Sequence, residues 1–309
     1  MTPSPVRQRG VAVLTAILVV ALGTIIAVNL MWDATLDQRR TAAALAADQG
    51  LMYLQGAEAW AGDILRQDQI DSGESDHLSE LWALELAPLP VDGGLISGRL
   101  EDLQARFNLN NLITPAGEVD ALARRQFERL LESLEMDPGL AAVVIDWLDG
   151  DVEPGFPLGG EDSAYANVEP PYRTPNSPIT SASELMAIAG FDQEQYRVLA
   201  PHVTALPSGT RLNVNTASDV LLASLSDDID LSQAAVLIEE RGGADFVDID
   251  QTFEGRVEAD VLQRIDGVSE YFLLTASVVL GTHQLTMYSV LQRDSSGLAR
   301  AIFRSLGVQ

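Results

Sequence analysis

Six carboxylates fall within residues 146 to 162, at Asp146, Asp149, Asp151, Glu153, Glu161 and Asp162, with no basic residue among them. Gly150, Pro154, Gly155, Pro157, Gly159 and Gly160 break the stretch, which reads as an extended loop. Alternating carboxylates on such a loop can converge on a hard cation, which takes about 6 to 8 oxygen ligands in irregular geometry, and calcium is the natural candidate. The spacing is not that of an EF-hand, and a solvated acidic loop is the competing reading. A second series, Asp245, Asp248, Asp250 and Glu254, lacks the Gly/Pro frame and reads as a solvated face.

Catalytic chemistry finds little support. His77, His202 and His283 stand far apart, and no HExxH, G-x-S-x-G or glycine-rich phosphate loop occurs. Asp149 and Asp151 could imitate a hydrolase dyad, but nothing in the sequence defines a sugar cleft. All 19 basic residues are Arg and there is no Cys, which removes lysine Schiff bases, the P-loop lysine, thiol nucleophiles, thiolate metal sites and disulfides. With 45 acids the formal net charge is -26, which repels polyphosphates, so nucleic acid is not expected as a partner. The 309 residues, 47% apolar, suffice for one large or two ordinary folded domains.

The elements that must carry the acidic loop begin with a membrane helix. Residues 11 to 32 hold no charged side chain and, at about 1.5 Å per residue, reach about 33 Å, the thickness of a hydrocarbon core. Arg7 and Arg9 precede them without an acid, which puts the short leader in the cytoplasm and Trp32 at the outer interface. The apolar run is longer than that of a cleaved signal peptide, and Arg9-Gly10 abuts it directly. Leu36, Ala43, Ala47, Leu51, Leu54, Ala57 and Ile64 continue a helical stripe to about residue 68. Gly50, Gly56 and Gly62 each weaken that helix by about 1 kcal/mol, so it must pack on something, and a sheet is expected.

Residues 71 to 94 read as a loop with one helical turn, and 96 to 110 as a strand with a bulge. The runs 270 to 281, 284 to 294 and 298 to 307 read as an antiparallel meander. Between them, helical periodicity appears near 118–134, 138–149, 181–189, 192–200, 217–225, 231–241 and 257–265. Arg106-Phe-Asn-Leu-Asn-Asn and Arg211-Leu-Asn-Val-Asn-Thr form a faint repeat, with Asn111 and Thr216 as expected N-caps. Asn213 to Ser218 looks like the start of a helix-hairpin-helix, which the acidic surroundings make a structural cap rather than a DNA contact.

The Arg9-Gly10 junction resembles the class III leaders of type IV pilins and pseudopilins. That resemblance implies cleavage after Gly10 by a prepilin peptidase and methylation of Val11. Most members carry Glu at the fifth mature position, where this chain has Thr15. An acid there is thought to pair with a neighbouring subunit's terminal amine, so a subunit with nothing ahead of it needs none. Asp146-Trp147, Asp149, Asp151 and Glu153-Pro154, followed by Glu161-Asp162, Tyr165, Pro170-Pro171-Tyr172-Arg173, Asn176 and Pro178, are similar to a motif of the type II secretion system protein K family. The resemblance implies calcium ligands at Asp149, Asp151, Glu153, Glu161 and Asp162, with Asn176 as a further candidate.

It also implies an α+β fold, in which a pilin-like N-terminal spike helix packs on an antiparallel sheet and a large all-α insert holds two SAM-like helical subdomains. The expected organisation is a leader (1–10), transmembrane (11–32) and periplasmic (33–68) parts of one helix, a loop and first strand (69–111), the insert (112–268) with its calcium loop (146–178), and C-terminal strands (269–309). A minor pseudopilin of this kind is expected in the inner membrane, facing the periplasm, at the pseudopilus tip, where it helps to initiate assembly. Its expected partners are minor pseudopilins I and J, other pseudopilins, the inner-membrane assembly platform and the prepilin peptidase. A membrane-anchored periplasmic calcium-dependent enzyme and a competence-type minor pilin that binds DNA are the alternatives.

Overall fold

The computed structural model describes residues 9–72, 75–85 and 87–307; most of the expected leader lies outside them. A single helix, α1 (Arg9–Ser72), carries the apolar N-terminal segment and runs on into the body. Its most apolar window has a mean hydropathy of 2.8 and is wholly exposed, long and apolar enough to cross a bilayer. Further on, Leu54, Ala61 and Leu65 are buried against Leu100, Phe272, Leu274, Met287 and Leu291 of a sheet. Gly50 allows this approach, since a Cβ there would meet Leu285 Cδ1 at 3.0 Å, whereas Gly56 faces open space.

The sheet contains β1 (Leu89–Val91), β2 (Gly94–Asp102), β7 (Tyr271–Leu280), β8 (His283–Arg293) and β9 (Ala299–Leu306), antiparallel throughout in that order. Two expectations are corrected here. The loop of 71–94 contains not only the short turn Leu81–Ala83 but also β1, which hairpins onto β2 through Gly93 at φ 86°. The segment 96–110 is not one bulged strand. The Asp102 carboxylate accepts the Gln104 N–H and turns the chain out of the sheet.

Asp102 pairs with Phe272 across β2 and β7, so everything between leaves and re-enters the sheet at one point. This insert consists of two units. The first runs from β3 (Phe107–Asn108) through α2 (Ala121–Ser133), α3 (Leu140–Leu148), α4 (Asp162–Tyr165) and α5 (Gln193–Leu199), and closes when β4 (Val203–Thr204) pairs parallel with β3. The second runs from β5 (Leu212–Asn213) through α6 (Asp219–Ser224), α7 (Leu231–Arg241), α8 (Ile249–Phe253) and α9 (Ala259–Leu262), and closes when β6 (Ile265–Asp266) pairs parallel with β5. Residues 182–187, expected as α-helix, are 3-10. Part of the second acidic series is α8, capped by Asp248 with Phe253 buried.

The sequence repeat is a repeat of hydrogen bonds. Asn110 accepts the Ile179 N–H and donates to Leu206 O; Asn215 accepts the Phe246 N–H and donates to Gly267 O. The expected caps are corrected, because Asp120 caps α2 and Ser218 caps α6. Asn111 instead donates to Thr210 O, and Thr216 to the Asp102 carboxylate. Asn213 is fully buried and donates to Asp76 O, Asp102 and Ser269, so the helix-hairpin-helix-like segment faces the body and not a nucleic acid.

Candidate metal centre

The helix α3 ends at Leu148 inside the core of the insert, and the chain then winds through the glycine-rich loop to α4. Asp149 and Asp151 stand at the start of that loop and Glu161 at its end. The structure brings these three together, with one carboxylate oxygen of each within 4.8 Å of the others. Asp149 and Glu161 are buried, Asp151 is exposed. Asn176 approaches from a later segment in a left-handed conformation that Asn tolerates, φ 47°, and donates from Nδ2 to Asp151 O at 2.9 Å.

The electrostatics of the group point to a positive charge. Asp149 Oδ1, Glu161 Oε1 and Asn176 Oδ1 are buried without a hydrogen-bond partner. Buried acceptors left in that condition cost about 1 to 3 kcal/mol each, more when charged. Burial, followed by the Asp151 and Asp146 charges, raises the Asp149 pKa; burial, followed by the Asp146, Asp149 and Asp151 charges, raises that of Glu161. Three acceptor-only oxygens on a loop fit a hard, oxygen-loving cation and offer no donor to an anion.

The remaining expected ligands lie elsewhere. The Asp162 carboxylate accepts the Thr174 N–H and hydroxyl at 3.2 and 3.1 Å and sits 3.7 Å from Arg173 Nε. Glu153 stands outside the three-carboxylate group and gives only its backbone N–H to Asp151 Oδ1. In the apolar N-terminal part of α1, Gly10 and Val11 lie in the first turns, the Thr15 hydroxyl donates to Val11 O and Ala12 O, and Trp32 is exposed.

A second carboxylate group escaped sequence reasoning. Asp68, Asp76 and Glu80 also converge within 4.8 Å, but they face the buried Arg293, which bonds Asp68 at 3.0 Å and Asp76 at 2.7 Å. The guanidinium supplies the countercharge, and it comes from β8, more than two hundred residues away in sequence. Burial, then Glu80 and Asp76, push the Asp68 carboxyl up to about 7 against the opposing pull of Arg293.

Residues 105–208 and 212–266, nearly the two units of the insert, match two family models described as type II secretion system protein K. The chain is 36% identical to type II secretion system protein K of Pseudomonas aeruginosa, over 97% of this chain and 93% of that one. It is 33% identical to the Klebsiella pneumoniae protein of the same description, over 93% of each. Among solved structures it resembles a chain of the GspK-GspI-GspJ complex from the type 2 secretion system of enterotoxigenic Escherichia coli. The TM-score is 0.78 at 26% identity, covering 87% of this chain and 100% of that chain.

Proposed function

The chain belongs to the type II secretion system protein K family, and from that premise we propose that it caps the pseudopilus tip and helps to start its assembly. It is a minor pseudopilin. The observation that carries the tip position is the insert: it leaves and re-enters the sheet at one point, adding bulk that a repeating thin filament has no room to stack. α1 anchors the chain in the inner membrane with the body in the periplasm, after a prepilin peptidase cuts between Gly10 and Val11 and methylates Val11. The two units are SAM-like subdomains.

The solved relative is a complex with GspI and GspJ, and minor pseudopilins I and J are the partners assigned to this chain. An apolar groove of about 260 Å³ lies along α1 at Met52, Gly56 and Trp60, facing Leu84, Leu89 and Ile96. A partner helix rooted in the same bilayer would run beside α1 and reach this groove, where Gly56 permits close approach. In a strain lacking its own protein K, the full chain should restore secretion and recover I and J from detergent extracts. Trp60→Asp should lose both; restoration by a chain whose residues 11–32 are replaced with a soluble tag would overturn the pseudopilin role.

Within the first unit, Asp149, Asp151, Glu161 and Asn176 are the residues that would hold a calcium ion. The bound ion would cancel the convergent charge and staple the two ends of the loop in a protein without disulfides. The unpartnered buried oxygens of Asp149, Glu161 and Asn176 support this reading.

A further inference from the structure

We infer that Asp146 is the positioning residue of this centre, a carboxylate that binds no ion itself and shapes the loop so that the ligands at its two ends meet. The inference rests on the calcium reading above and gives a role to the buried acid of the motif that lies outside the three-carboxylate group and bonds only loop backbone.

Asp146 lies on α3, whose nine residues are all buried, so its carboxylate is a fixed point. It is 1% exposed and forms no ion pair among the described residues, yet a buried carboxylate needs donors. The loop backbone supplies them. Gly155 N–H donates to both oxygens, at 3.0 Å to Oδ1 and 2.9 Å to Oδ2, and Gly160 N–H donates to Oδ2 at 2.7 Å. One side chain thus pins the middle of the loop and the residue just before Glu161. Hydrogen bonds to an ionised acceptor are the strong ones, and both lone pairs of Oδ2 are occupied by N–H groups, which turns that oxygen away from a cation.

The glycines record how close this packing is. A Cβ on Gly155 would stand 2.7 Å from Asp146 Oδ1, and one on Gly160 would stand 2.4 Å from Val143 Cγ1. Between them Gly159 N–H donates to Gly155 O at 2.7 Å and closes the inner turn. The loop is held on the carboxylate by its own backbone N–H groups, so Asp146 shapes the site without serving as a ligand.

The test uses the full-length chain in detergent micelles. Calcium affinity is measured by calorimetry, and amide hydrogen exchange is read at Gly155 and Gly160 in the presence of chelator. In the calcium-free wild type both amides should exchange at least about tenfold more slowly than in Asp146→Asn, which loses the charge-assisted acceptor. Calcium affinity should fall about 10- to 100-fold in Asp146→Asn and equally in Asp146→Glu, which keeps the charge but displaces it. Asp149→Asn should lose calcium and keep the protected amides. Should the Asp146 variants fail to fold, Gly155→Ala presses a methyl on the same carboxylate and should weaken calcium in the same way. Wild-type affinity in Asp146→Glu would reduce the role to charge, and fast exchange at both amides in the wild type would overturn it. If the wild type binds no calcium, the calcium reading fails while the amide result still decides whether Asp146 shapes the loop.

Discussion

The proposed calcium site makes a prediction whose sign reverses with conditions. Two unit charges about 4.8 Å apart, the upper limit for this group, repel by about 3.5 kcal/mol at an effective dielectric of about 20. Asp149→Asn removes one of the three charges, so in chelator the variant should be at least as stable as the wild type. In calcium the order inverts. An ion at about 100 times its dissociation constant stabilises the wild type by about 2.7 kcal/mol, and for a body of this size that raises the thermal midpoint by about 5 to 11 °C. The assay is thermal unfolding of the full chain in micelles, in 1 mM calcium and in chelator, followed by tryptophan emission. Trp147 lies two residues before Asp149 and packs against Tyr165 at 5.5 Å, so it reports on this region. A wild-type midpoint that ignores calcium, or an Asp149→Asn midpoint lowered equally in both buffers, would refute the reasoning.

The Arg293 cluster yields two further expectations. Arg293→Met should lower stability by about 3 to 5 kcal/mol, because it leaves Asp68 and Asp76 buried without their countercharge, and denaturant titration of the full chain reads this directly. Asp68, raised from 3.8 to about 7, binds a proton in the folded state that the unfolded chain releases; its contribution is fully present below about pH 4 and is lost as the pH rises through about 7. Asp102, raised to about 6 by burial, adds to the same slope at its lower end. Asp68→Asn should flatten the pH profile by at most about 1.4 kcal/mol per unit between pH 4 and 7, and a profile unchanged by this substitution would remove Asp68 from the explanation.

The long apolar helix and the meander were legible because their signals are local. An uncharged run of helical length and alternating strands joined by short turns read the same wherever they sit. The break at Asp102 was not, since Phe107 and Leu109 continue an apolar alternation that serves a different two-stranded pair and core. β1 was hidden by Pro90, which as an edge residue costs no ladder bond here. Asn111 and Thr216 were misread because their residue type fits a cap, while their side chains are taken by groups about a hundred residues away.

At the candidate site itself, sequence alone determined the inventory of acids without bases on a loop broken by glycines and prolines, while Asn176 entered only through the family resemblance. It could not choose among the acids. Asp149, Asp151 and Glu161 converge while Glu153 and Asp162 do not, and the difference lies in the path of a loop that two backbone N–H groups, Gly155 and Gly160, tie to one buried carboxylate on the preceding helix. Ligand convergence is a relation between segments in space, and only packing fixes the distance between them.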